Sequence, residues 1–469
     1  MEAGAMLKQV LQQELPRYLS DDEGEQLGRL LVAESAGSPR QSTQKMTAFL
    51  TTPISEMHRI PSHPETFERT QVIRERVLKE FPDISVVSEI PHVTREQLVR
   101  FHTPKYVDWM LGLFDRVQAS HQVSATPGSS TYIDIDDDTS VMEGTEDAAL
   151  TAAGAVCHAI DLVMESTTSG YVNAFCGVRP PGHHAEPHRA MGFCFFNNIG
   201  VGACHLLHKY PDKIKKVLIL DFDVHHGNGT QAKFDQDHPE ICFISTHQRR
   251  FYPHTGKASE RGSHNNIMNV PLVARSPSRV YRQIFEERIV PMMRAFEPDF
   301  ILISAGFDAH RLDPLADISL ESSDYYWITK HVVEVAWKHA EGRIVSSLEG
   351  GYHLEALAES AAAHVRALVE GSHRDRTLDD TTIDQLAAAF DTGVKLETTE
   401  DLRVTVHYNR VEKLVILKSR SLEALLQQCK NKFTLKKKAK TVSLVDAHGT
   451  AVTDTLLRSL PSDQHLYLR

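Results

Sequence analysis

Two hydrophobic patterns alternate through the middle of the chain. Between residues 45 and 373, short and nearly unbroken apolar runs at 170–175, 216–222, 241–246, 300–304 and 343–348 are separated by longer stretches with helical spacing. Runs this short, without polar alternation, predict strands covered on both faces, and hence a mainly parallel central sheet in an α/β domain. Each run is followed by Gly, His or Asp, and ligand sites in such sheets lie beyond the carboxyl ends of the strands.

The flanks read differently. Residues 1–44 hold a helical stretch (6–31) and then a Gly/Ser/Gln-rich break (35–44), which predicts a helical extension. Residues 374–400 are polar, with one short helical patch, and read as a linker. From 401 to 469 the order is ββαββ. Leu402, Val404 and Val406 alternate with polar residues, a second run follows at 414–417, and Leu422, Leu425, Leu426 and Cys429 share a helix face. Further runs stand at 441–445 and 465–468. A small β-grasp domain is expected there.

At 469 residues, 41% hydrophobic and 24% charged, the chain is long enough for one large core and a smaller module. No apolar run is read as approaching the ~20 residues of a membrane helix, and no basic flank leads into a signal core. The expectation is a soluble protein of cytoplasm and/or nucleus with no membrane partner. The six cysteines (157, 176, 194, 204, 242 and 429) form no CxxC pair and read as buried thiols in a reducing compartment. The net charge of −11 conceals an asymmetry. Residues 401–469 carry 13 Lys and Arg against 6 Asp and Glu, a net of +7 that leaves −18 for the rest.

The chemistry clusters at the strand ends. Asp223 and His225, at i and i+2 in Asp221-Phe-Asp-Val-His-His-Gly-Asn-Gly229, can chelate one cation from the same side of a strand terminus. Alone, such a pair is ordinarily a hydrogen-bonded turn. Here a second run ends in Ala-Gly-Phe-Asp308, which offers a third ligand and leaves a fourth position open, as a catalytic zinc requires. A third run leads into Arg179-Pro-Pro-Gly-His183-His184-Ala-Glu. Two adjacent imidazoles are costly to bury without partners and suit proton transfer. Tyr352, in Leu348-Glu-Gly-Gly-Tyr352, can donate to an oxygen that becomes negative, and the glycines let backbone approach the site closely. A tyrosine simply packed on the sheet is the plainer alternative.

These motifs resemble the histone deacetylase and acetylpolyamine amidohydrolase superfamily. They occur in its order: His63-Pro-Glu, Arg179-Pro-Pro-Gly-His-His-Ala-Glu, Gly192-Phe-Cys-Phe-Phe-Asn-Asn198, Asp221 to Gln231, Ala305-Gly-Phe-Asp308 and Glu349-Gly-Gly-Tyr352. Asn228 and the Arg-Pro-Pro-Gly-His-His sequence look class II-like. The resemblance implies an arginase-like three-layer fold over residues 45–373 and one zinc per chain on Asp223, His225 and Asp308. It makes His184 the general acid/base, His183 its partner and Tyr352 the electrophilic donor. Asp221 would orient His183 and, with Ser245, bind a structural K+ ion. Phe193, Tyr252, Gly192 and Gly351 would line an acyl-lysine tunnel. Three departures stand out: Phe222 where Trp is common, His188 where an acid is common, and Tyr252 with His254 where Phe and Gly are usual.

The implied reaction is hydrolysis of acetyl-lysine amides in histone tails or other proteins, a chromatin-regulating role. Two alternatives are deacetylation of small amines such as polyamines, and a scaffold that recruits partners through its tail. The tail itself resembles CIDE-N and other ubiquitin-like modules through Ser421-Leu-Glu-Ala-Leu-Leu and Val442 to Val452. That implies a protein partner or self-association. Lys436, Lys437 and Lys438, with Lys440, read as a protein-docking patch, an import signal, a nucleic-acid contact or simply a solvated loop, and of these direct nucleic-acid binding is not expected.

Overall fold

A computed structural model describes residues 46–123 and 132–372, together with four strands nearer the C-terminus. The chain divides into two compact units, Met1–Arg374 and Asp375–Arg469. The described strands of the first are β1 (Met46–Leu50), β2 (Ser85–Val87), β3 (Tyr132–Asp134), β4 (Ser140–Met142), β5 (Tyr171–Cys176), β6 (Val217–Asp221), β7 (Ile241–Gln248), β8 (Ile267–Leu272), β9 (Phe300–Ala305) and β10 (Ile344–Leu348). Eight form one sheet in the order β2-β1-β5-β10-β9-β6-β7-β8, with every pairing parallel. The remaining two make an antiparallel hairpin.

The five predicted runs are β5, β6, β7, β9 and β10, the middle of this sheet. Their side chains alternate between two cores: Val217, Ile219, Phe300 and Leu302 face one, and Leu218, Leu220, Ile301, Ile303 and Ala305 face the other. Burial on both faces is why the runs lack polar alternation. The edge strands escape the sequence reading for the converse reason. Half-exposed β2 has three residues, and β8 carries polar Asn269 together with Pro271, which has no N–H for a ladder and is confined to an edge strand.

One expectation is corrected here. The helix Thr145–Met164 is 20 residues long and apolar enough, by length and composition, to cross a membrane. In this fold it is a core helix: Ala152, Ala155, Val156, Ala159 and Ile160 are buried, and a Cβ on Gly202 of the neighbouring helix Asn198–Lys209 would lie 2.5 Å from Val156 Cγ1. The five described cysteines are free, with four of them buried. Burial pushes the Cys157, Cys204 and Cys242 thiols up to about 12.

In the second unit β11 (Leu402–Tyr408), β12 (Val411–Leu417), β13 (Leu444–Val445) and β14 (Gln464–Leu468) pair in the order β12-β11-β14-β13. The first and last strands, β11 and β14, run parallel, and the outer pairings are antiparallel. The helical stretch 6–31, the linker 374–400, the helix through Leu422–Cys429 and Lys436–Lys438 lie outside the described residues.

Candidate active site

The carboxyl ends of β5, β10, β9 and β6 lie side by side, so the loops that follow them meet at one edge of the sheet. The β6 loop delivers Asp223 and His225, and the β9 loop delivers Asp308. Among the described residues this is the one group of three or more metal-ligating side chains whose donor atoms all lie within 4.8 Å of one another. His225 Nδ1 is 3.0 Å from Asp223 Oδ1 and 3.1 Å from Asp308 Oδ2. Donors sharing a tetrahedral ion at ~2.0–2.1 Å lie about 3.3 Å apart, so the set fits a small divalent cation. Glycine makes the approach possible. A Cβ on Gly306 would sit 2.1 Å from Asp223 Oδ2, and one on Gly350 would sit 2.0 Å from Asp308 Oδ2.

The electrostatics point the same way. Burial raises Asp308 to about 7, with Asp223 adding to the effect. Burial also opposes charge on Asp223, but His183 and His225 outweigh it and hold that carboxyl well below its usual range. Despite its own burial, His225 is raised to about 10 by its hydrogen bonds to the two carboxylates. The pair of acids demands positive charge between them.

His183 and His184 follow β5 on a turn gripped from both sides. Glu349 Oε2 accepts from Gly182 N at 2.6 Å and His183 N at 3.1 Å, while the His183 carbonyl accepts from Gly229 N and Thr230 N. Asn197, which caps the helix Asn198–Lys209, donates to the Ala185 carbonyl at 3.2 Å. The rings, 4.0 Å apart, have opposite surroundings. His183 Nδ1 meets Asp221 Oδ2 at 3.0 Å; burial works against its charge, yet Asp223 and Asp221 raise its pKa well above 6.5. His184 meets the neutral Asn228 amide, and its pKa is well below 6.5 through burial and then the neighbouring His183 and His225. His184 is therefore the imidazole held neutral and able to accept a proton.

Tyr352 is half-buried at the end of the β10 loop, its N–H donating to Asp313 Oδ2 at 2.7 Å. Its phenol stays protonated: burial pushes the pKa well above 10, Arg69 opposes and Asp308 adds to it. The ring is edge-on to Phe193 at 6.0 Å, and Phe193 is edge-on to His63 at 4.5 Å. Tyr252 is edge-on to His184 at 5.1 Å. Gly192 lies against the same two side chains, since a Cβ there would meet His184 Cδ2 at 2.5 Å and the Tyr252 hydroxyl at 2.9 Å. Gly351 is placed differently. Its missing Cβ faces Leu357 and Phe307, and its carbonyl accepts from Arg69 Nε at 2.7 Å, so it contributes backbone geometry. Ser245 is opposite Asp221 in the β6–β7 register, with Oγ 2.9 Å from His247 Nδ1.

Several participants lie beyond the sequence reading. Phe251 stacks on His225 at 5.3 Å; its signal is only that it adjoins Tyr252. A buried cluster, Glu65 with Arg69 and Arg179, ties the His63-Pro-Glu and Arg-Pro-Pro-Gly motifs together. Arg69 also binds the Glu349 carbonyl and covers the Tyr352 ring at 4.9 Å. Glu65 and Arg69 stand four apart, but nothing in the spacing announces that Arg179 and Glu349 meet them.

The chain is similar to known proteins. The chain is 36% identical over 324 residues to "Histone deacetylase 14, chloroplastic" of Arabidopsis thaliana, covering 66% of this chain and 74% of that one. It is 35% identical over 301 residues to a "Probable deacetylase" of Archaeoglobus fulgidus, covering 63% and 78%. The crystal structure of the HDA15 HD domain superposes with a TM-score of 0.62 at 31% identity, covering 74% of this chain and 96% of that one. The profile of the histone deacetylase domain matches residues 63–368, a span that contains every strand end just described, and the chain belongs to the histone deacetylase family.

Proposed function

We propose that the protein is a zinc-dependent deacetylase of acetyl-lysine side chains in proteins, of the class II type. The observation that carries this reading is a neutral His184 beside a three-donor cluster, with Tyr252 edge-on to the His184 ring and Tyr352 edge-on to Phe193. Asp223, His225 and Asp308 would hold the zinc, which when bound supplies Lewis-acid polarisation of the carbonyl and a more acidic water. His184 Nε2 takes the water proton and returns it to the departing lysine amine. The Tyr352 hydroxyl donates to the carbonyl oxygen as charge grows there. His183, charged against Asp221, adds positive field beside both steps. The same reading gives Asp221 and Ser245 a K+ ion. It also gives the second unit, with β11 and β14 paired in parallel, the role of a β-grasp docking module.

One observation favours cationic substrates and keeps acetylated polyamines as a second reading. The β3–β4 hairpin carries Asp134, Asp136, Asp137 and Asp138, and Asp138 Oδ1 accepts from Gly192 N at 3.2 Å beside the tunnel wall. Turnover of acetyl-lysine peptides beside acetylpolyamines, with and without chelator, tests both. Chelator-insensitive turnover would remove the zinc mechanism, and polyamine turnover alone would replace the substrate.

A further inference from the structure

We infer that Glu186 is a positioning residue that fixes the tautomer of His184 through Asn228. The inference rests on the proposed reading for its catalytic meaning, though its geometric part stands alone. The side-chain amide of Asn228 has two chemically different ends, and a base at His184 Nε2 works only if Nδ1 carries the hydrogen. Which end faces His184 is decided by the groups at the other end.

Those groups are both acceptors. Asn228 Nδ2 lies 2.8 Å from Glu186 Oε1 and 3.4 Å from Met191 Sδ. A carboxylate and a thioether have no hydrogen to give. The NH2 end must face them, so the Asn228 carbonyl oxygen is the atom 2.8 Å from His184 Nδ1. A carbonyl oxygen only accepts; Nδ1 therefore donates, and the lone pair is left on Nε2. Turning the amide over would set its oxygen against the Glu186 carboxylate and its NH2 against an imidazole nitrogen that already carries hydrogen.

Glu186 is itself anchored. It forms a reciprocal backbone bridge with Arg189, its carbonyl is 3.0 Å from His102 Nδ1, and Arg189 Nη2 is 3.4 Å from Oε1. His183 has no need of this device, because its Nδ1 faces the Asp221 carboxylate directly. The neutral amide keeps a second negative charge away from His184, and Glu186 restores the direction that an amide alone lacks.

The test uses the full-length protein and two readouts. In Glu186→Gln the new side chain can donate, the amide of Asn228 can turn, and His184 can shift to the tautomer with hydrogen on Nε2. Imidazole 15N chemical shifts, assigned with a His184→Asn variant, should show that shift. The kcat for an acetyl-lysine peptide should fall at least about 10-fold, a part of the 10²–10⁴ that a general base contributes, with KM little changed. Asn228→Asp combined with Glu186→Gln should restore the tautomer, because the carboxylate introduced at 228 only accepts, and should recover kcat relative to Glu186→Gln alone. A tautomer unmoved by Glu186→Gln, or a double variant no better than that single one, would overturn the proposal. A tautomer that shifts while kcat holds would support it and instead remove His184 from the base role.

Discussion

Replacing Gly350 by alanine isolates the geometry of the metal cluster from its chemistry, because no donor is lost. The backbone at 350 is outside the left-handed region, so alanine adds only a methyl group. That Cβ would stand 2.0 Å from Asp308 Oδ2 and 2.6 Å from Asp223 Oδ2, where real Cβ contacts do not fall below 3.0 Å. Asp308 must therefore retreat by about 1 Å, against a tolerance of ~0.2 Å for metal–ligand distances. It is not free to do so, since Oδ1 accepts from Val224 N at 2.8 Å and Oδ2 meets His225. Breaking one hydrogen bond to a charged group costs about 1.5–3 kcal/mol, which corresponds to roughly 10- to 150-fold in zinc affinity. Competition with a chromogenic chelator measures this, with Gly351→Ala as the control. There φ is +121° and the nearest atom is the flexible Leu357 Cδ1, so the expected cost is about 1–3 kcal/mol of stability with zinc affinity nearly unchanged. Wild-type zinc affinity in Gly350→Ala, or equal loss in both variants, would refute the reasoning.

Other outcomes follow from the same contacts. Tyr352→Phe should keep its zinc and lower kcat by roughly 10²–10³, the usual cost of one oxyanion donor; an unchanged kcat would reduce the residue to packing. Glu65→Ala leaves Arg69 and Arg179 buried without their shared carboxylate, and denaturant melts should show a loss of about 3–5 kcal/mol. His364 is fully buried between Thr329 and Ser346, and burial lowers its pKa to about 3. The unfolded chain, with an ordinary value near 6.5, binds the proton first, so stability falls as pH drops from about 6.5 toward 3. His364→Gln should reduce the slope of unfolding free energy against pH between 6 and 4 by up to ~1.4 kcal/mol per unit, and an unchanged slope would count against a neutral buried imidazole. Removing residues 375–469 should leave peptide deacetylation near the full-chain rate, because every site residue belongs to the first unit; lost turnover would show that the tail completes the site.

What could be read from the chain depended on whether a residue's partner was near it in sequence. Asp223 and His225 stand two apart just past a strand end, and the five central strands are nearly unbroken apolar runs, so periodicity and spacing exposed both. Asp308 was legible because it follows another such run and parallel strands bring their carboxyl ends to one edge. Glu349 was legible as part of a motif but not as the acceptor of Gly182 and His183 N–H, since those partners are 167 and 166 positions away. Asn228 is sharper still. Its residue type was visible, but an amide has no inherent direction, and the Glu186 that sets it lies 42 positions earlier, legible as the last residue of a motif but not as a partner of Asn228. Side chains that hold or bind something directly leave local patterns. Those that only orient another side chain act across the fold, where the relevant quantity is which end of a dipole faces which atom, and sequence order does not encode that.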